Sequence, residues 1–184
     1  KEVDEGEKKV TSTILKKFLE DQRQEKFDYG VNAILKKNLR IAFRHRLHGH
    51  LPPGSSEPEL VHGHTVYVTI SIIQEGTDFR ENSWIPLEMV TVVCDEVTKS
   101  FEGKLLLFKD DPAVEEFKDD PNLIVMPFPP SRENLAFLIF TIVGNCTLTY
   151  TNVAGEKNNL YIIPHEVSVY EPGVGEVVIT RARA

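Results

Sequence analysis

The chain has few cysteines and no long apolar run, and both absences narrow its class. Its 184 residues include only two cysteines, Cys94 and Cys146, which are too few and too far apart for a disulfide framework or a Cys-x-x-Cys metal site. No apolar stretch approaches the roughly 20 residues of a membrane-spanning helix, and none has the pattern of a signal peptide. We therefore predict a cytoplasmic protein that binds no membrane and keeps both thiols reduced in its core.

The chain has fewer basic residues than acidic residues. The chain carries 21 Lys and Arg residues against 28 Asp and Glu residues, a formal net charge of -7. Proteins that bind nucleic acids draw their affinity from clustered Lys and Arg side chains that neutralise phosphates. The charge balance therefore argues against a nucleic-acid partner, although it leaves room for local basic pockets.

The hydrophobic pattern changes after residue 30. Residues 10–27 place apolar side chains at helical spacing with Lys and Glu between them, which predicts an amphipathic helix. From Leu39 to His45 the pattern has period two, and residues 62–73 alternate again and are rich in Val, Ile and Thr. We predict an N-terminal helical extension over residues 1–30 and a single domain over 31–184, whose first two strands pair antiparallel.

The rest of the domain mixes helices and strands. Residues 84–98 and the segment after Ser131 predict two helices, with Ser131 as the N-cap of the second, whereas the acidic residues 109–122 predict a loop with one helical turn. Strands are predicted over residues 146–152, 160–170 and 175–181. This order of elements is α+β, with two helices on a mainly antiparallel sheet.

Histidine is concentrated in one part of the chain, since five of the six histidines lie between His45 and His64. On a strand, His62 and His64 project from the same face, and His45 ends the preceding strand, from which it could supply a third nitrogen. Three protein ligands with an open fourth position are typical of catalytic zinc. His48 and His50 repeat the same spacing in the predicted turn and stay open as the ligand pair, as does the reading that these histidines are solvated loop residues.

Several segments in the correct order resemble one known family. The chain is similar to the 6-pyruvoyl-tetrahydropterin synthase and 6-carboxytetrahydropterin synthase family, which carries His-Arg-Leu and His-Gly-His-x-Tyr motifs. The matching segments are 43–47, 59–70, Trp84-Ile85, 130–136 and 169–171.

The resemblance implies a tunnelling fold, in which four antiparallel strands with two helices on one face close into an oligomeric barrel. It implies a homo-hexamer built as a dimer of trimers, with sites between subunits. It also implies that Zn²⁺ is bound by His45, His62 and His64.

For the substrate, the resemblance implies that Glu171 binds the pterin ring and that Ser131 and Glu133 lie near the same pocket. A carboxylate can accept two parallel hydrogen bonds from the amidine-like edge of the ring.

The sequence departs from the family pattern at two catalytic positions. A cysteine base usually precedes His-Gly-His at a position corresponding to Ser56 or its neighbours, but here the pattern is the Glu-x-x-His-Gly-His of a subgroup, so Glu59 is the predicted general base. The family's Asp-His pair falls at Glu102-Gly103, which lacks the histidine. Losing an acid–base partner usually costs about 10²- to 10⁴-fold in rate.

Together these features predict a zinc-dependent lyase acting on 7,8-dihydroneopterin triphosphate, with 6-hydroxymethyl-7,8-dihydropterin favoured as the product. The alternatives are a catalytically impaired homologue that binds zinc and pterin in a binding or scaffold role, and a metal-assisted hydrolase of an unrelated small molecule. Four basic side chains could neutralise the triphosphate: Lys36, Lys37, Arg44 and Arg46.

Overall fold

The structure is a computed structural model that describes residues 31–49, 60–77, 87–151, 155 and 157–182. The helix predicted within residues 1–30 lies outside the described residues, and so do His50, Ser56, Glu59 and the Trp84-Ile85 pair.

A long antiparallel hairpin forms the centre of the sheet. Strand β1 (Val31–His45) pairs with strand β2 (His62–Thr77), and the register ends with His45 opposite His62. Alternate side chains of both strands, such as Phe43 and Val66, are buried on one face, as period-two patterning requires. The predicted antiparallel pairing is confirmed, although both strands extend further than their patterns indicated.

The main sheet has six strands and is mixed. Its order is β4-β3-β1-β2-β7-β8, where the added strands are β3 (Leu105–Phe108), β4 (Leu123–Met126), β7 (Pro164–Glu171) and β8 (Gly175–Thr180). Strands β1, β2, β7 and β8 pair antiparallel, whereas β3 runs parallel to both β1 and β4. The sheet is therefore wider than the expected four antiparallel strands.

Strands β3 and β4 were not predicted because they are short and have no polar alternation. Leu106 packs into the main core, while Leu105 and Leu107 pack into a second cluster with Ala113. A strand buried on both faces reads as a continuous apolar run, which periodicity cannot distinguish from other buried segments.

A separate two-stranded sheet consists of β5 (Thr147–Thr151) and β6 (Lys157–Tyr161). The single strand predicted over residues 160–170 is thus two strands, β6 and β7, because the chain changes sheet between Tyr161 and Pro164.

Three helices complete the described part of the chain: α1 (Leu87–Phe101), α2 (Ala113–Glu116) and α3 (Arg132–Gly144). Helices α1 and α3 confirm the two predicted helices, and α2 is the single turn expected in the acidic loop. Ser131 caps α3, because its hydroxyl accepts a hydrogen bond from the backbone N–H of Asn134 at 3.2 Å. No helix among these described residues is long and apolar enough to cross a membrane.

One hydrophobic core lies between the sheet and the two longer helices. It includes Ile41 and Val68 from the hairpin, Phe101 from α1 and Ile139 from α3. Since both helices contribute to this one cluster, they cover the same face of the sheet. Cys94 lies in this core, and its burial raises the pKa of its thiol to about 11.

Candidate metal centre

Three histidines meet at the end of the hairpin where β1 finishes and β2 starts. His45 faces His62 across the strand pair, and His64 follows on the same face of β2. The ring centroids are 4.5 to 4.8 Å apart, and one ring nitrogen from each residue lies within 4.8 Å of the others. The structure therefore brings together the three histidines chosen from the sequence.

Each imidazole is held through its Nδ1 atom by an oxygen. Nδ1 of His45 donates to the carbonyl of Pro130 at 2.6 Å, and Nδ1 of His62 donates to the carbonyl of Leu60 at 2.7 Å. Nδ1 of His64 donates to Oε1 of Glu171 at 2.5 Å. Carbonyl and carboxylate oxygens only accept, so we assign the ring proton to Nδ1 in all three residues. Each Nε2 then carries a free lone pair.

These lone pairs converge in a buried space. The Nε2 atoms of His45, His62 and His64 are inaccessible to solvent and have no hydrogen-bond partner among the described residues. Three buried acceptors without donors are unfavourable unless a further group satisfies them. Histidine binds zinc as a neutral imidazole, through one ring nitrogen, while the second ring nitrogen donates a hydrogen bond. This set of three nitrogens therefore fits a zinc ion with three protein ligands.

Burial keeps the deepest of the three histidines in its neutral form. The pKa of the His45 imidazole is lowered from 6.5 to about 4, chiefly because the side chain is buried, at 3% exposure, and also because His64 and His62 lie beside it. The hydrogen bond to Pro130 opposes the shift without reversing it. At pH 7 the ring is therefore neutral, with its proton on Nδ1 and Nε2 unprotonated, as metal coordination requires.

Glu171, at the end of β7, lies between a histidine and an arginine. Its Oε1 accepts from His64, and its Oε2 accepts from Nη1 of Arg132 at 2.8 Å. Burial alone raises the pKa of this carboxyl, but the hydrogen bonds from His64 and Arg132 outweigh it, and the pKa lies below its ordinary value. Glu171 is thus an ionised, largely buried carboxylate.

The other predicted substrate residues lie at the start of α3. Ser131 follows Pro130, the residue that accepts from His45, so the N-terminus of α3 borders the histidine cluster. Glu133 is exposed in the first turn of the helix. Arg132, between them, was not singled out from the sequence, although it lies inside the 130–136 segment that carried part of the resemblance.

Glu102 and Gly103, which we expect at the position of the family's Asp-His pair, make contacts with the backbone of β1. Oε2 of Glu102 accepts from the N–H of Ala42 at 2.8 Å, and the N–H of Gly103 donates to the carbonyl of Ala42 at 2.7 Å. Gly103 has φ of +70°, a conformation that favours glycine over any residue with a Cβ atom. Glu102 and Gly103 therefore anchor the α1–β3 turn to β1.

The alternative ligand His48 does not join the cluster. It contacts Nη2 of Arg46 through Nδ1 at 3.0 Å, and Arg46 also lies 3.6 Å from the buried carboxylate of Asp111. His50, the other member of that pair, lies outside the described residues.

Three of the four basic residues proposed for the triphosphate have acidic neighbours, namely Arg46, described above, Arg44 and Lys36. Arg44 donates to Asp120 at 2.9 Å, and Lys36 lies 3.7 Å from Glu166.

Sequence comparison assigns the family. The sequence profile described as 6-pyruvoyl tetrahydropterin synthase matches residues 34–173, which is more than half of the chain and includes all the histidines of the cluster and Glu171. The chain belongs to the 6-pyruvoyl tetrahydropterin synthase family. Members of this family are lyases of pterin metabolism. No curated protein matches the chain by sequence.

Solved structures, including those of two 6-pyruvoyl tetrahydropterin synthases, share the fold. The enzyme from Caenorhabditis elegans superposes with a TM-score of 0.54 at 16% identity, covering 83% of this chain and 98% of its own. The Plasmodium vivax enzyme superposes with a TM-score of 0.53 at 14% identity, covering 82% of this chain and 98% of its own. An uncharacterized protein from Wolinella succinogenes gives 0.56 at 15% identity, with 83% and 99% covered. At these identities the likeness shows that the chain shares the fold of these structures.

Proposed function

We propose that this chain is a zinc-dependent lyase that acts on 7,8-dihydroneopterin triphosphate and releases 6-hydroxymethyl-7,8-dihydropterin. The observation that carries the proposal is the convergence, within the matched family domain, of three buried Nε2 atoms that have no hydrogen-bond partner in the part of the chain that the structure describes. His45, His62 and His64 would hold the ion. When bound, zinc supplies a Lewis acid that lowers the pKa of substrate hydroxyls and stabilises developing negative charge.

The protein's own residues would bind the substrate around this centre. Glu171 is ionised, so it can accept two hydrogen bonds from the amidine-like edge of a pterin ring while it keeps its contacts to His64 and Arg132, because each carboxylate oxygen has a second lone pair. Ser131 and Glu133 would contribute from the start of α3, next to the cluster.

A general base is also required, because the side chain of the substrate must lose a proton before it is cleaved. We assign this role to Glu59, which precedes His62 by three positions in the Glu-x-x-His-Gly-His pattern. A carboxylate near a metal ion can move protons if its pKa is tuned. We further propose that the protein assembles as a homo-hexamer, a dimer of trimers, with sites between subunits.

The second candidate is a catalytically impaired homologue that binds zinc and pterin without turnover. It is favoured by the contacts of Glu102 and Gly103 with Ala42, because these residues bind the backbone at the position where the family has its Asp-His pair. A chain that has replaced proton-transfer groups with structural contacts can retain ligand binding alone.

Incubation of the zinc-loaded protein with 7,8-dihydroneopterin triphosphate tests both candidates, with products separated by chromatography and fluorescence detection. If the protein is the lyase, the wild type should form the hydroxymethyl pterin. The Glu59→Gln variant should then lose turnover while its zinc content stays equal to that of the wild type. If the protein binds the pterin in a zinc-dependent way but forms no product, the lyase proposal is wrong and the binding homologue is supported. Zinc binding without any pterin binding would overturn both and favour metal-assisted chemistry on another substrate.

A further inference from the structure

The three histidines of the cluster differ in what holds them. His45 and His62 donate to the backbone carbonyls of Pro130 and Leu60, whereas His64 donates to a side chain, Glu171. A backbone acceptor is fixed by the fold and is neutral. The His64 contact therefore depends on side-chain chemistry and carries a negative charge.

We propose that Glu171 is a positioning residue of the metal centre, and that Arg132 acts on the same centre by holding Glu171. This inference rests on the proposed metal site and assigns Glu171 a role in addition to substrate binding. It makes the affinity of the site for metal depend on two residues that do not themselves coordinate it.

The geometry fixes the carboxylate from two sides. His64 donates to Oε1 and Arg132 donates to Oε2, so rotation of the carboxylate would break one contact or the other. The side chains of His64 and Glu171 are only 13% and 12% exposed, and that of Arg132 is 25% exposed, which limits competition from water. Charge-assisted hydrogen bonds of this kind are shorter and stronger than neutral ones.

Three elements that are distant in sequence meet at this carboxylate. His64 belongs to β2, Glu171 ends β7, and Arg132 is the first residue of α3. The pairing of Tyr67 with Tyr170 places the end of β7 beside the start of β2. The orientation of the His64 ring is thus set by the packing of a helix onto two strands of the sheet.

A carboxylate acceptor also changes the imidazole electronically. Hydrogen bonding of the ring N–H to an anion makes the other nitrogen a better electron donor than bonding to a carbonyl does, and it fixes the ring direction. Because the same carboxylate is the proposed pterin acceptor, metal binding and substrate binding are expected to be coupled, each strengthening or weakening the other by the same factor.

Zinc affinity, measured by competition with a chromophoric chelator, tests the role of Glu171. Loss of an outer-shell partner typically costs about 10- to 100-fold in metal affinity, and we expect Glu171→Ala to fall in that range. Glu171→Gln is close in shape and retains an oxygen acceptor, so its loss should be smaller. Glu166→Ala is the matched control, because it removes an ion-paired carboxylate from the same strand without touching the cluster, and its affinity should equal that of the wild type.

The role of Arg132 is tested by a double-mutant cycle. Arg132→Ala should weaken zinc binding in the wild-type background and have no further effect in the Glu171→Ala background, because Arg132 acts through Glu171. Equal weakening in both backgrounds would mean that Arg132 does not act through Glu171 and would overturn the Arg132 assignment. The absorption spectrum of bound Co²⁺ provides a second readout, which should change in Glu171→Ala and not in Glu166→Ala.

Failure of this inference can be distinguished from failure of the proposed function. If the wild type binds zinc and Glu171→Ala binds it within about threefold, well below the usual outer-shell effect, the inference alone is wrong. If the wild type does not bind zinc, both are wrong. The thermal unfolding midpoint of each metal-free variant serves as the check on folding, and Glu171→Gln carries the test if Glu171→Ala does not fold.

Discussion

His45 donates from Nδ1 to the carbonyl oxygen of Pro130 at 2.6 Å, which joins two residues 85 positions apart in the chain. The contact links the end of β1 to the residue before the N-cap of α3. The candidate metal centre is therefore built on the same junction that begins the second long helix. Changes at the start of α3 and changes in the histidine cluster should influence each other.

Removing one histidine of the cluster should remove most of the bound zinc. His62→Ala leaves two ligand nitrogens, and we expect its affinity to fall by more than the roughly 10- to 100-fold typical of a lost outer-shell partner. Elemental analysis of the purified protein measures the effect. His48→Ala is the control, because His48 contacts Arg46 and lies outside the cluster. Full zinc retention in His62→Ala would show that the ligand set is wrong.

The N-cap of α3 should contribute measurably to stability. Ser131→Ala removes the acceptor for the Asn134 N–H and should lower the free energy of unfolding by about 1 kcal/mol. Ser131→Asp keeps a capping oxygen and should lose little, which urea unfolding can measure. A loss of stability in Ser131→Asp as large as that in Ser131→Ala would contradict the capping role of this residue.

Two phenylalanines on the two longer helices should differ in their effect on stability. Phe101 of α1 is 2% exposed in the main core, so Phe101→Ala should lower the free energy of unfolding by about 3–5 kcal/mol. Phe137 of α3 is 53% exposed, and Phe137→Ala is expected to cost well under half as much. Chemical denaturation of the two variants at matched metal loading makes the comparison. Similar losses would contradict the packing of α1 described above.

The two free thiols should react at different rates. Burial raises the pKa of Cys94 to about 11, so at pH 8 roughly one thiol in a thousand is ionised, and the group is also shielded from reagents. Burial also raises the pKa of Cys146, but this residue is only partly buried. We expect Cys94 not to react with a thiol reagent in the native protein at pH 8. Both thiols should react in denaturant. Labelling rates should increase with pH, because the thiolate fraction of each group increases.

The sequence predicted the histidine cluster because period-two alternation is a local property. Alternation places His62 and His64 on one face, and the hairpin places His45 opposite them. The Pro130 carbonyl could not be predicted, because no local pattern reports a contact across 85 residues. Arg132 was also missed, since only the packing of α3 against the end of β7 brings it to Glu171.

For the fold as well, local features were predicted from the sequence and distant pairings were not. Ser131 marked the start of α3 because capping is local. Strands β3 and β4 could not be predicted from pattern, since their side chains are apolar on both faces and β3 joins the sheet by pairing with β1, from which β2 and α1 separate it in the chain. The parallel edge that they form became visible only in the tertiary structure.

The register of the β1–β2 hairpin limits how the gene can change in length. Because successive side chains of a strand point to opposite faces, insertion or deletion of one codon within β1 near His45 would turn that ring away from His62 and His64. Such a change would abolish the cluster without removing any histidine. We therefore expect natural length variation to be excluded from the paired ends of these strands and to accumulate in the segment that connects them.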